Sequence, residues 1–168
     1  SDLLPFLING DTIKVSYLEE EEIITAIDEE KIVRVILILL SNSIKFSKEK
    51  GDICVEMRRE DEEVVIKVTD NGIGINEDMK EKIFDKFKRV QSVSNLNVDH
   101  EGSGLGLYIA KGFIELHNGS ISVVSEVEKG STFIITIPIV IIKNDLHNIN
   151  HMDEDELNRI IKIELSDL

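Results

Sequence analysis

Apolar residues recur along this chain at two different periods. Ile13, Val15 and Tyr17 alternate with polar neighbours over 12–18, and Ile23-Ile24 follows a run of glutamates, so a short strand pair is expected there. From Asp28 the period lengthens. Ile32, Val35, Ile36, Leu39, Leu40 and Ser43 fall three and four apart, which predicts a helix over about 29–47 that ends near Gly51. Asp28 occupies the N-cap place, and Glu29 and Glu30 suit the positive end of the helix dipole. Alternation returns at Ile53, Val55, Met57 and at Val64, Ile66, Val68, on either side of Glu60-Asp61-Glu62, and predicts a hairpin of strands 52–59 and 63–69. Asp78 to Phe87 has helical spacing. Residues 90–103 are polar and aperiodic, a loop length that in a compact domain is either disordered or a working lid. Leu105 to Leu116 is helical again and stopped by Asn118-Gly119, and strands 120–127 and 132–139 form a second hairpin ended by Pro138. Beyond Val140 the character changes. Asp153 to Glu156 reads as a capping box before the apolar stripe Leu157, Ile160, Ile161 and Leu165, a terminal helix that either packs back or docks another domain. The expected division is a domain over 1–140 and an acidic extension over 141–168.

Composition narrows this picture. The 168 residues, 42% hydrophobic and 31% charged, suit one well-buried domain rather than a disordered chain. Apolar runs such as Ile32-Val33 and Val35 to Leu40 are too short to span a bilayer and are interrupted by Arg34. Ser1-Asp2 opens without a basic start or cleavage site, and the absence of an initiating Met reads as a segment of something longer. Cys54 is alone, so neither an intramolecular disulfide nor a zinc cluster can be assembled. Its alternating surroundings, Asp52 to Arg58, predict a buried strand thiol, consistent with a reducing cytoplasm. A net charge of −14 speaks against nucleic acid and against docking on anionic lipid. Lys45, Lys48, Lys50, Lys80, Lys82, Lys86, Lys88 and Arg89 nevertheless concentrate positive charge around the segments described next, as a small polyanion would require.

Three segments carry candidate chemistry. Asp70-Asn71-Gly72-Ile73-Gly74 closes an apolar strand with a carboxylate beside flexible backbone, placed to accept from an exocyclic amine such as the N6 group of adenine or to cap its own turn. Gly102-Ser103-Gly104-Leu105-Gly106-Leu107 leads into a helix, whose exposed amides form an anion site. It is neither a Rossmann fingerprint nor a P-loop, because no strand directly precedes it and no Lys-Ser/Thr follows. In Leu39 to Phe46, Ile38, Asn42 and Lys45 share a helical arc away from Ile36 and Leu40. Asn42 offers a neutral oxygen to Mg²⁺, and Lys45 offers a point charge to phosphate. Together they read as a nucleotide pocket.

In this order the segments resemble the catalytic ATP-binding domain of sensor histidine kinases, in the wider group that includes DNA gyrase and mismatch-repair ATPases. Residues 28–46 resemble the N box, 70–74 the first glycine box, Ile83 to Val90 the phenylalanine box and 102–107 the second glycine box. Leu116 to Ile121 and Gly130 to Phe133 resemble the closing strands. The resemblance, over roughly residues 8–140, implies an α+β two-layer sandwich of the Bergerat type, a mixed sheet with three helices on one face and a mobile lid at about 88–103. It implies ATP and Mg²⁺ as cofactors, with Asn42 holding the metal and Lys45 and Arg89 on phosphate. Asp70 would read adenine, flanked by Phe46, Gly72, Gly74, Ile75 and Thr132, and Gly102, Ser103, Gly104, Leu105, Gly106 and Leu107 would wrap the phosphates. It also implies a histidine-bearing dimerisation domain and a response regulator as partners, in a cytoplasmic, homodimeric full-length protein.

One position departs from the pattern. Such kinases carry Asn four residues before the metal-binding Asn, and the related hydrolysing ATPases a Glu; here that place is Ile38, which can neither take a proton nor orient a hydroxyl. A self-sufficient ATPase is therefore disfavoured, and a regulatory nucleotide-binding module with weak or no transfer stands as the alternative to a kinase. His100, His117, His147 and His151 all lack the surroundings of a phosphoacceptor, which places the acceptor outside this chain. His117, at a helix end, is expected to serve a C-terminal hydrogen bond or dipole contact.

Overall fold

A computed structural model describes residues 6–8, 11–17, 25–48, 51–87, 104–140 and 159–160. The expected two-layer sandwich is present. Strands β1 (Phe6–Ile8), β2 (Asp11–Tyr17), β3 (Asp52–Glu60), β4 (Glu63–Asp70), β5 (Ser120–Glu126) and β6 (Gly130–Pro138) form one mixed sheet in the order β1-β2-β3-β4-β6-β5. Only the β2–β3 pairing among these is parallel, and its crossover carries helix α1 (Glu29–Lys45). Helix α2 (Gly106–Leu116) lies between β4 and β5 in the chain and packs beside α1 on the same sheet face.

Local chemistry explains these elements. The Asp28 carboxylate accepts the Lys31 N–H at 3.1 Å and pairs with the Lys31 ammonium, so its pKa is lowered chiefly by that side-chain contact. In β3 and β4 the inward set (Ile53, Val55; Val64, Ile66, Val68) meets Val35 and Leu39 of α1 and Phe133, Ile135 and Ile137 of β6 in one core. Truncating fully buried Leu39 to Ala would cost about 2–5 kcal/mol. Asp61 takes the left-handed conformation (φ 53°) in the β3–β4 turn, and Asn118 (φ 55°) ends α2 while the Gly119 N–H bonds the Ile114 carbonyl at 3.0 Å.

Several expectations are corrected. Residues 78–87 form two 3₁₀ turns, Glu77–Met79 and Lys82–Phe84, rather than an α-helix, so the third helical element on the face is this short pair. The adjacent residues Ile83 and Phe84 are both buried, which a turn achieves more readily than one helix face. The hairpin partner of β2 precedes it, as β1; Ile23-Ile24 lie outside the described residues. Cys54 is half-buried, because it alternates with core residues Ile53 and Val55 and faces the sheet's other side. Ile38 belongs to the core at 6% exposure, whereas Ile36 and Leu40 are only partly buried: α1 is covered on two sides, by the sheet and by α2. Of the C-terminal extension only Arg159 and Ile160 are described, both helical, with Ile160 buried. No helix among the described residues is long and apolar enough to cross a membrane.

Candidate nucleotide-binding site

A cleft of about 450 Å³, counted out to its open mouth, lies between the end of α1, the ends of β4 and β6, and the start of α2. Asn42 and Phe46 line it from α1, Asp70 and then Ile73, Gly74 and Ile75 from β4 and the loop after it, Ser131 and Phe133 from β6, and Ile83 and Leu107 close it. Its wall is apolar around few polar atoms, as small-molecule sites generally are.

Asp70 forms the polar floor. As the last residue of β4 it is 7% exposed. Its Oδ1 accepts the Gly72 N–H at 2.9 Å and the Ser131 N–H at 3.2 Å, which fills that oxygen's two lone pairs. Oδ2 receives only a long bond, 3.4 Å, from the Ser43 hydroxyl and so keeps acceptor capacity in a residue that lines the cleft. Burial raises the Asp70 pKa, opposed by those same backbone and hydroxyl donors. The group is therefore an acceptor held in low-dielectric surroundings, where a ligand amine is a good partner and a ligand carbonyl a poor one.

The first glycine cluster works differently from its sequence reading. A β-carbon at Gly72 would lie 2.3 Å from the Phe46 carbonyl oxygen, and one at Gly74 (φ +71°) 2.1 Å from that of Glu126. These glycines let protein backbone approach protein backbone, building the wall on which a ligand rests. The Ile73 N–H donates to the Phe46 carbonyl at 3.1 Å, and the Glu128 N–H to the Ile73 carbonyl at 2.8 Å. Lys48 joins the α1 end to the same turn, with Nζ 2.6 Å from the Glu128 carbonyl oxygen.

The other candidate residues divide clearly. Asn42, Phe46, Asp70, Gly74, Ile75 and Leu107 meet in the cleft. Lys45 stands one helical turn from Asn42, beside the cleft rather than in its lining. Gly104 (φ +67°) accepts the Phe87 N–H at 3.1 Å, joining the two chain ends between which residues 88–103 run. Leu105 is the N-cap of α2 and Gly106 its first residue, so the first-turn amides of α2 begin directly after Gly104. Arg89, Gly102 and Ser103, with the lid expected over 88–103, lie outside the described residues. Thr132 turns to the other side of the sheet, where its hydroxyl lies 3.1 Å from that of Thr69; its neighbour Ser131, in register with Asp70, takes the wall position expected of it. The alternation Phe133, Ile135, Ile137 would have pointed to Ser131. His117 sits as expected at the end of α2: its Nδ1 is 2.7 Å from the Phe113 carbonyl, while Nε2 accepts the Asp28 N–H at 2.9 Å and ties the two helices.

Residues 27–141 match the family of histidine kinase-, DNA gyrase B- and HSP90-like ATPases. The chain belongs to that family. Sensor protein RprX of Bacteroides fragilis is 37% identical over 155 residues, 86% of this chain but 29% of that protein, so the chain spans under a third of this relative. The catalytic domain of histidine kinase ThkA superposes with a TM-score of 0.65 at 27% identity, covering 77% of this chain and 81% of that one. Full-length ShkA in complex with AMPPNP superposes with a TM-score of 0.60 at 26% identity, covering 76% of this chain and 26% of that one. This ATPase-family domain thus has its cleft in a fold that has been solved in ShkA together with an ATP analogue.

Proposed function

We propose that this chain is the ATP-binding catalytic domain of a two-component sensor histidine kinase, over residues 1–140, with 141–168 as an extension. The observation that carries the reading is Asp70: a buried carboxylate lining a largely apolar cleft, with one oxygen satisfied by backbone and the other keeping acceptor capacity. The adenine amino group donates to Asp70 Oδ2 while the ring packs on Ile75, Ile83 and Phe133. Asn42 fits a Mg²⁺ site, because it lines the cleft and carries a neutral oxygen, and the ion's other ligands can be phosphate oxygens and water. When bound, the ion neutralises phosphate charge. Lys45, Arg89 and the segment Gly102 to Leu107 orient the phosphates.

The γ-phosphoryl group passes to a histidine on a separate dimerisation domain. The imidazole nitrogen bonds to phosphorus, the bond to the bridging oxygen breaks, and its electron pair leaves with ADP. A response regulator then accepts the group on an aspartate. The full-length protein is read as a homodimer with this domain facing the cytoplasm; the relatives named sensor protein and sensor histidine kinase support the kinase reading.

A second reading rests on Ile38. Its Cγ2 would lie 3.2 Å from a β-carbon at Gly106, so an apolar side chain fills the α1–α2 seam where the resembling kinases carry an amide. That favours a nucleotide-binding regulatory module with little or no transfer. Autophosphorylation of the full-length protein with Mg-ATP separates the two readings. Robust labelling of the wild type removes the regulatory reading, whereas labelling seen only in Ile38→Asn establishes it.

A further inference from the structure

Ser125, on β5, does not line the cleft, yet its hydroxyl joins the cleft's two walls. It accepts the Ile75 N–H at 2.8 Å, donates to the Gly130 carbonyl at 2.8 Å, and lies 3.0 Å from the Ser131 hydroxyl. A hydroxyl has one proton and two lone pairs, so with the proton on Gly130 the lone pairs take the Ile75 amide and the Ser131 O–H, and the group is satisfied. Ile75, 9% exposed, stands on the loop wall, and Ser131 on the strand wall, whose backbone N–H also holds Asp70.

We propose that Ser125 is a positioning residue for the nucleobase: its hydroxyl sets the distance between the Gly72–Ile75 wall and the Ser131–Phe133 wall. The proposal rests on the adenine-nucleotide reading of the cleft. The geometry makes the effect local. Residues just before Ile75 have their own anchors, Ile73 to Phe46 and Glu128 to Ile73, and Ser131 keeps its β-ladder place and its bond to Asp70. Without the hydroxyl the Ile75 amide loses its partner in a half-buried site. A buried donor cannot stay unpaired cheaply, so the loop turns at the permissive Gly74 to reach water and the wall opens.

The test uses the full chain, with ADP and Mg²⁺ titrated calorimetrically and the Ile75 amide followed by NMR. Ser125→Ala should bind ADP about fivefold more weakly, the loss of one ordinary hydrogen bond, and the Ile75 amide should exchange faster while Val68 in β4 stays protected. Ser125→Thr, which keeps the hydroxyl, should restore both. Equal ADP affinity in Ser125→Ala and wild type overturns the proposal, and so does a Thr variant as weak as the Ala variant. If Ser125→Ala does not fold, Ser125→Cys replaces it as the weakly accepting variant, with the same fivefold loss expected and wild-type affinity overturning the proposal. A wild type that binds no ADP refutes the nucleotide reading, and the positioning role falls with it.

Discussion

The two ends of the cleft are built on different principles. The end proposed for the base is a corner of the sheet. Asp70 closes β4, Ser131 stands opposite it on β6, and the loop between Gly72 and Ile75 is bonded to α1 on one side and to the β5–β6 hairpin on the other. The end proposed for the phosphates is made of helix termini: Asn42 and Lys45 in the last turns of α1, and the start of α2. A purine needs a fixed slot and a fixed acceptor, which a cross-braced sheet edge provides. Phosphates need charge and amides: the Lys45 ammonium offers the charge from the last turn of α1, and the N-terminal turn of α2 offers the amides. Specificity should therefore concentrate at the sheet, and general anion affinity at the helices.

Substitutions should separate the two ends in graded fashion. The largest effect is expected from Gly74→Ala, which combines a φ of +71° with a backbone collision at 2.1 Å. Chemical denaturation should show a loss of about 3 kcal/mol, and a loss below 0.5 kcal/mol would mean that the wall is not so closely packed. Next, Asp70→Asn should weaken ADP binding at least tenfold, about 1.4 kcal/mol or more, by putting an amide where an acceptor is required. Unchanged affinity would remove Asp70 from the base site. Asp28→Ala, remote from both ends, should cost about 1 kcal/mol of stability through its lost N-cap and leave ADP affinity unaltered. The smallest effect should come from Lys45→Ala, about threefold on ADP affinity and shrinking at high salt, as a partly exposed charge predicts. A salt-independent loss would place that lysine in the buried part of the site instead.

The pH dependence distinguishes the two aspartates. Burial raises the Asp70 pKa, so below its unfolded value both states are protonated; as pH rises from there through the folded value, folding stability declines, then levels off. Nucleotide affinity runs the other way, weakening as pH falls through the folded Asp70 value and the carboxylate gains a proton. Asp28 has the opposite shift. Lys31 lowers its pKa, so its small stabilising contribution is present above the unfolded value and is lost as pH falls through the folded one. Thermal midpoints of wild type and Asp70→Asn across acidic pH should differ in slope with that sign.

Much of this architecture was legible from periodicity. The α1 span, both long hairpins and the α2 stop at Asn118-Gly119 all lie where spacing predicts them. What escaped the pattern were features that a one-dimensional period does not encode. Ile38 reads as a second, working face until α2 packs on it. Ile83 and Phe84 read as helical because their spacing fits, but neighbouring residues buried together belong to a 3₁₀ turn. At the site, Asp70, Asn42 and the first glycines were identifiable from residue type and motif order. Ser131 was within reach of the Phe133, Ile135, Ile137 alternation, whereas Ser125 was not, because its role depends on a hydroxyl that reaches sideways between strands.

In the proposed function, the spare acceptor oxygen of Asp70 selects a ligand amine in the cleft. Calorimetric titration of the wild-type chain with ADP and with IDP, both in the presence of Mg²⁺, tests it most directly, since the two differ at the 6-position, amino donor against oxo acceptor. The account predicts one ADP site per chain and IDP binding at least tenfold weaker. Equal affinity for the two nucleotides, or no heat with ADP, would contradict it.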